Sequence, residues 1–109
     1  MTRTPRNIEP IDRAASPALT AFFRGYLHED AEREHRSMAA AFDAFWTEAG
    51  DEERRRFSDE WHALMAIAGT RSWARLRRVF EALGAAWMPG GRTGFSALQR
   101  SVREKGRVP

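Results

Sequence analysis

The chain has 109 residues, 42% of them apolar, with four Trp, seven Phe and no Cys, enough for one hydrophobic core but not for two domains or a disulfide-stapled scaffold. Its formal charge of +3 is unevenly laid out: residues 1–60 carry nine Arg against thirteen Asp and Glu, net −4, and residues 61–109 carry nine Arg and Lys against two Glu, net +7. No run approaches the roughly 20 apolar residues of a membrane span, and Met1-Thr2-Arg3-Thr4-Pro5-Arg6 lacks the apolar stretch of a secretory leader, so the expectation is a soluble, cytoplasmic protein.

Residues 1–15 hold Pro5 and Pro10, little apolar content and no helical period, and read as a flexible N-terminal arm. Ser16-Pro17 is an N-cap followed by the proline tolerated at the first helical position. Leu19, Phe22, Phe23, Tyr26 and Leu27 then recur at helical spacing, giving a first helix with a wide apolar stripe. Asp30 or Ser37 is placed to cap a second helix, in which Met38, Ala41, Phe42, Phe45 and Ala49 repeat the spacing until Gly50. Asp51 opens a third, with Phe57, Trp61, Leu64, Met65 and Ala68 on one face and Gly69 just past its end. Ser72 caps a fourth carrying Trp73, Leu76, Phe80 and Leu83 before Gly84.

Trp87-Met88-Pro89-Gly90-Gly91 is a turn-rich link whose two large side chains must fold back onto the bundle. A last helix, capped by Thr93, presents Phe95, Leu98 and Val102 on one side before Gly106 releases a tail, residues 106–109. No segment alternates with the period of a strand. The prediction is an all-α domain over 16–105, a single compact bundle of about five helices joined by short loops.

Catalytic signatures are absent. His28, Glu29, Asp30, Glu32 and His35 lie within eight residues, but the spacing is not His-Glu-x-x-His and no third His is near in sequence, so no metal is expected. Glu29 and Asp30 are adjacent and diverge on a helix or turn, unlike the paired carboxylates of a hydrolase. There is no Cys nucleophile and no Gly-x-Ser-x-Gly elbow, and Gly90-Gly91-Arg92-Thr93-Gly94 lacks the Lys of a phosphate loop. Neither an enzyme nor a cofactor is expected. An alternative is a small helix-turn-helix-like nucleic-acid binder, in which the third and fourth helices meet at Gly69-Thr70-Arg71-Ser72 and Arg71, Arg75, Arg77 and Arg78 decorate a recognition helix. The apolar stripe of that helix and the acidic half of the chain argue against it.

Phe23-x-x-Tyr26-x-His28-x-Asp30, preceded by Leu19 and followed by a helix with Ala41, Phe42 and Phe45, resembles the opening of the small immunity proteins of bacterial contact-dependent growth inhibition systems (CdiI-like). Glu60 and Leu64, then Leu76, then Leu83-Gly84 with Trp87 and Pro89 before the last helix, follow in the order of that family's landmarks, so that the resemblance covers residues 16–104. The chain departs from it at Glu29-Asp30-Ala31, where members carry Gln-Asp-Trp. The resemblance implies a protein without chemistry of its own, which binds a cognate toxin domain in the cytoplasm and blocks its active site or its access to substrate.

Residues 26–60 are the most acidic stretch, with eleven carboxylates against five Arg. Within it, Glu29, Glu32, Glu34, Asp51, Glu52 and Glu53 are the candidate toxin-binding residues, on the expectation that charge complementarity selects and speeds such a partner. Phe23, Tyr26, His28 and Asp30 are read as structural: Tyr26 and His28 as a hydrogen-bonded corner between the first two helices, Asp30 as a helix N-cap.

Overall fold

The apolar stripes form the core of the computed structural model, which describes residues 16–68 and 72–107. The expected arm, the Gly69-Thr70-Arg71 turn and the last two residues lie outside the described residues, as does the side chain of Ala68. Five α-helices follow one another: α1 Pro17–Tyr26, α2 Met38–Glu48, α3 Asp51–Ala68, α4 Trp73–Ala82 and α5 Gly91–Arg107, with one turn of 3-10 helix, Ala31–Arg33, between α1 and α2. There is no strand among the described residues. The radius of gyration, 13.7 Å, is close to the roughly 13 Å of a compact domain of 100 residues. Among the described residues no helix is long and apolar enough to cross a membrane.

Helix α1 lies at the centre because two adjacent residues on it, Phe22 and Phe23, are both fully buried. Successive side chains on a helix point about 100° apart, so α1 must be covered on two sides. The Phe22 ring lies 5.8 Å from Phe42, 5.3 Å from Phe45 and 5.6 Å from Phe57, meeting Phe42 and Phe57 edge-on. That cluster joins α1 to α2 and α3. Phe23 faces Phe80 of α4 at 4.7 Å, and Phe80 in turn meets Trp61 of α3 and Phe95 of α5, each at 6.0 Å. Offset and edge-on ring pairs of this kind add about 0.5–1.5 kcal/mol each beyond the area they bury.

Serine caps two of the helix starts as its position suggests. Ser37 Oγ accepts from the Ala40 N–H at 3.1 Å and Ser72 Oγ from the Arg75 N–H at 3.4 Å. Ser16 occupies the cap position of α1 but makes no side-chain cap bond. The acceptor comes instead from α3: Glu60 Oε1 takes the Leu19 N–H at 2.8 Å, one of the orphan donors of the first turn. Asp30 precedes the 3-10 turn, again without a side-chain cap bond, so the N-cap expected of it is not made.

Helix α4 closes with a left-handed Gly84, φ +115°. The Gly84 N–H donates to the Glu81 carbonyl at 3.0 Å and the Ala85 N–H to the Phe80 carbonyl at 2.9 Å, the paired bonds of a Schellman motif. A Cβ at Gly84 would overlap Arg24 Cγ of α1. Helix α5 begins earlier than Thr93 because Gly90 and Gly91 take positive φ of 86° and 54° and the Gly90 carbonyl accepts the Gly94 N–H at 3.0 Å. Thr93 therefore lies within the first turn rather than capping it. The helix also continues through Gly106 to Arg107, two residues further than the sequence suggested, since one glycine costs a helix only about 1 kcal/mol.

Replacing Glu60 with Ala should lower the free energy of unfolding by about 1 kcal/mol through loss of the cap, seen as a lower urea midpoint at unchanged slope. The neighbouring exposed Asp59→Ala should leave the midpoint where it is.

Candidate functional site

The C-terminal end of α1 is where the chain departs from regular structure and where its polar groups gather. Leu27 closes the helix, its N–H donating to the Phe23 carbonyl at 3.1 Å, and its own carbonyl accepts two N–H groups from the link between α4 and α5, Ala86 at 2.7 Å and Trp87 at 3.0 Å. The following turn is held by its own backbone: the Ala31 N–H donates to the His28 carbonyl at 3.0 Å, and the Glu34 and His35 N–H groups both donate to the Ala31 carbonyl at 2.9 Å. Ala31 is fully buried beneath it. The corner is thus fixed by main-chain bonds, and its charged side chains are free to face solvent.

Tyr26 is the hub of this corner. Its ring stacks on Phe22 and on His35, each at 6.2 Å, and meets Phe45 edge-on at 5.5 Å. Its hydroxyl donates to a Glu48 carboxylate oxygen of α2. Burial of the phenol, then the hydrogen bond and charge of Glu48, with Glu53 adding to them, push the Tyr26 pKa up to about 12, because each disfavours a phenolate. His28 is one-third exposed. Its Nδ1 accepts the Asp30 backbone N–H at 3.1 Å, which places the proton of the neutral ring on Nε2, the atom 3.9 Å from Glu34 Oε1. His35 Nε2 lies 3.8 Å from the same oxygen. Both separations are too long for hydrogen bonds.

Phe23, Tyr26, His28 and Asp30 have separate places in this structure. Phe23 belongs to the core, Tyr26 and His28 form the bonded corner between α1 and α2, and Asp30 is exposed, bonded to His28 through its backbone rather than its carboxylate. The six candidate contact residues form two groups. Glu29, Glu32 and Glu34 sit on the corner and are exposed. Asp51, Glu52 and Glu53 occupy the first turn of α3, where carboxylates favour the helix dipole. Tyr26 lies between the groups, feeling Glu53 on one side and touching His35, the neighbour of Glu34, on the other.

Not all six are equally available. Glu52 is shared by Arg55 at 3.6 Å and Arg56 at 3.1 Å on its own helix, which largely cancels its field. Glu29, Glu32 and Asp51 make no ion pair among the described residues. Arg54, the remaining basic residue nearby on α3, is committed elsewhere: its Nε donates to the Trp46 carbonyl at 2.8 Å and its guanidinium lies 5.4 Å from the Trp46 ring.

An open cleft of about 590 Å³ lies beside the corner, between the 3-10 turn and the α4–α5 link. Glu32, Glu34 and His35 line one part of it with Arg33 and Arg36, and Trp87 and Pro89 line the other. Met88 is buried and Trp87 is partly buried and packed against the core, as expected of the link, and Trp87 also lines the cleft. Glu48 and Trp87 are the site residues that sequence reading did not assign. Glu48 lies 22 positions from Tyr26, a separation that no local spacing encodes, and Trp87 reads as core from composition alone.

Among the described residues no three His, Asp or Glu side chains converge as a metal-ligand set. The basic residues of α4 present a different surface: Arg75, Arg77 and Arg78 are exposed, with Arg77 held by Glu81 at 3.4 Å. Helix α4 packs chiefly on α5 and α3 chiefly on α1. The fold and the corner therefore define a small all-α domain with a pre-set, largely acidic polar surface at one end of its central helix. No protein-family model matches the chain, and comparisons with curated proteins and with solved structures find no match to it either.

The chain has a single Tyr, so its ionisation is directly visible in the ultraviolet. The folded pKa lies above that of the unfolded chain, so the neutral phenol's contribution to stability is complete below about pH 10 and is lost as pH rises towards 12. Tyrosinate absorbance should therefore rise with a midpoint near 12 in the folded protein, and Glu48→Gln should bring that midpoint down.

Proposed function

We propose that this chain is an immunity-type protein that binds a toxin domain in the cytoplasm of the cell that makes both, and neutralises it by covering its active site or its access to substrate. The observation that carries this reading is the corner after α1. Its backbone is fixed by hydrogen bonds, its exposed carboxylates Glu29 and Glu32 are without ion-pair partners among the described residues, and it coincides with the Tyr26-x-His28-x-Asp30 landmark on which the resemblance to CdiI-like proteins rests. A surface of this kind suits recognition rather than turnover. Rigid charge that is negative on balance accelerates encounter with an oppositely charged partner, and a half-buried aromatic at its edge supplies an anchor.

Of the candidate contact residues, Glu29, Glu32 and Glu34 form the stronger half of the proposed interface, because Glu52 is already neutralised within α3. The partly exposed Glu53 extends the negative surface past Tyr26. Inhibition by occupancy requires no cofactor.

Co-expression with the effector domain encoded beside it should rescue growth, and the two proteins should co-purify. Duplex binding that falls steeply with salt, with neither rescue nor co-purification, would overturn the reading in favour of a helical nucleic-acid binder. With a basic toxin, E29K/E32K should slow association about tenfold at low salt with a much smaller change in dissociation. An unchanged association rate would remove this corner as the docking surface.

A further inference from the structure

The cleft beside the corner has features that the acidic surface alone does not. One side is the partly exposed Trp87 next to Pro89, and the other is lined by the acidic residues Glu32 and Glu34. Both sides are held in place. The link carrying Trp87 is tied to the end of α1 by the two N–H groups that donate to the Leu27 carbonyl, and the turn carrying Glu32 and Glu34 is closed by the bonds to the Ala31 carbonyl. Among the described residues the ion-pair contacts of Glu34 are the two imidazole Nε2 atoms, at 3.8 and 3.9 Å, too long for hydrogen bonds, so it retains its acceptor capacity.

We propose that this cleft is a seat for one arginine side chain of the partner protein, its guanidinium lying against Trp87 and bonded by Glu32 and Glu34. An aromatic face beside two carboxylates fits a planar, delocalised cation with several donors better than it fits a compact ammonium. Arg33 and Arg36 also line the cleft. Both are exposed, and their long stems let the heads swing towards solvent, and the turn as a whole, residues 29–36, holds the four carboxylates Glu29, Asp30, Glu32 and Glu34 against these two Arg. A cation is therefore favoured over an anion. The proposal rests on reading this surface as an interface, and it names the group the surface selects.

Its test uses three small probes, acetyl-Gly-Arg-Gly-amide and its Lys and Glu counterparts, titrated into the isotope-labelled full chain and followed by NMR. The Arg probe should shift the Trp87 indole N–H and the amides of residues 32–36 with a Kd on the order of millimolar. The Lys probe should bind several-fold more weakly, and the Glu probe should leave these signals unmoved. E32Q/E34Q should raise the Kd about tenfold, as should Trp87→Leu, each variant first shown to keep the native spectrum.

Equal responses to the Arg and Glu probes, or shifts confined to α4 and α5, would overturn the proposal. So would an unaltered Kd in both variants. Growth rescue by a chain whose cleft ignores arginine would sink this inference and leave the toxin reading standing. Arginine-selective binding without rescue would do the reverse.

Discussion

Two neighbouring phenylalanines that must both be buried set the arrangement of everything else. Phe22 and Phe23 diverge from a ten-residue helix, and each is the first ring of its own aromatic cluster, one built with α2 and α3, the other with α3, α4 and α5. A helix as short as α1 is marginal alone. Its stability comes from being covered on two sides, and that coverage leaves only its ends and a narrow outer strip in contact with solvent. The ends are then completed by groups from distant sequence: Glu60 takes an N–H at the start, and the Leu27 carbonyl receives two at the finish. The polar corner exists because the chain must leave a helix whose sides are already occupied.

That origin explains why the corner holds its shape while carrying so much charge. Carboxylates crowded on a free loop reduce their mutual repulsion by moving apart. Here the turn is closed by backbone bonds at 2.9–3.0 Å and pinned through buried Ala31, so Glu29, Asp30 and Glu32 cannot separate by refolding the loop. Tyr26 adds a second constraint. Its ring is packed between Phe22, Phe45 and His35 while its hydroxyl satisfies Glu48, fastening the corner to α2 with one of its carboxylates already paired.

How far the sequence could be read depended on the range of each interaction. The stripes Leu19, Phe22, Phe23 and Leu27, then Met38, Ala41, Phe42 and Phe45, follow a three- and four-residue repeat that burial enforces, and they are buried as that repeat requires. Ser37 and Ser72 cap as expected because a serine reaches an N–H three residues on without help from the rest of the chain. Ser16, Asp30 and Thr93 carry the same local signal without the same outcome. At α1 a carboxylate from 41 positions away supplies the acceptor; the turn after α1 engages Asp30 through its backbone; two left-handed glycines start α5 before Thr93. The acidic character of the candidate surface was likewise legible from composition. The pairing of Glu52 with Arg55 and Arg56 follows three- and four-residue spacing on one helix and is as local as the serine caps; the Tyr26–Glu48 bond and the partial exposure of Trp87 were not legible, since each depends on how helices pack.

The division of charge along the chain takes on a structural meaning in this light. Lys105 of α5 reaches Asp43 of α2 at 3.8 Å, an exposed pair between the basic and acidic halves and worth little by itself. Had such pairs been numerous, packing α5 onto α2 would have cancelled much of the acidic field. Instead the carboxylates at the end of α1 make no ion pair with the arginines of α4 and α5 among the described residues. A molecule that displays both signs resists stacking on copies of itself in only some orientations, so selectivity for a partner must come from shape as well as charge. On the proposed reading the Trp87 ring supplies that shape: a basic surface without a group able to lie flat against the indole would be attracted to the corner but not retained there.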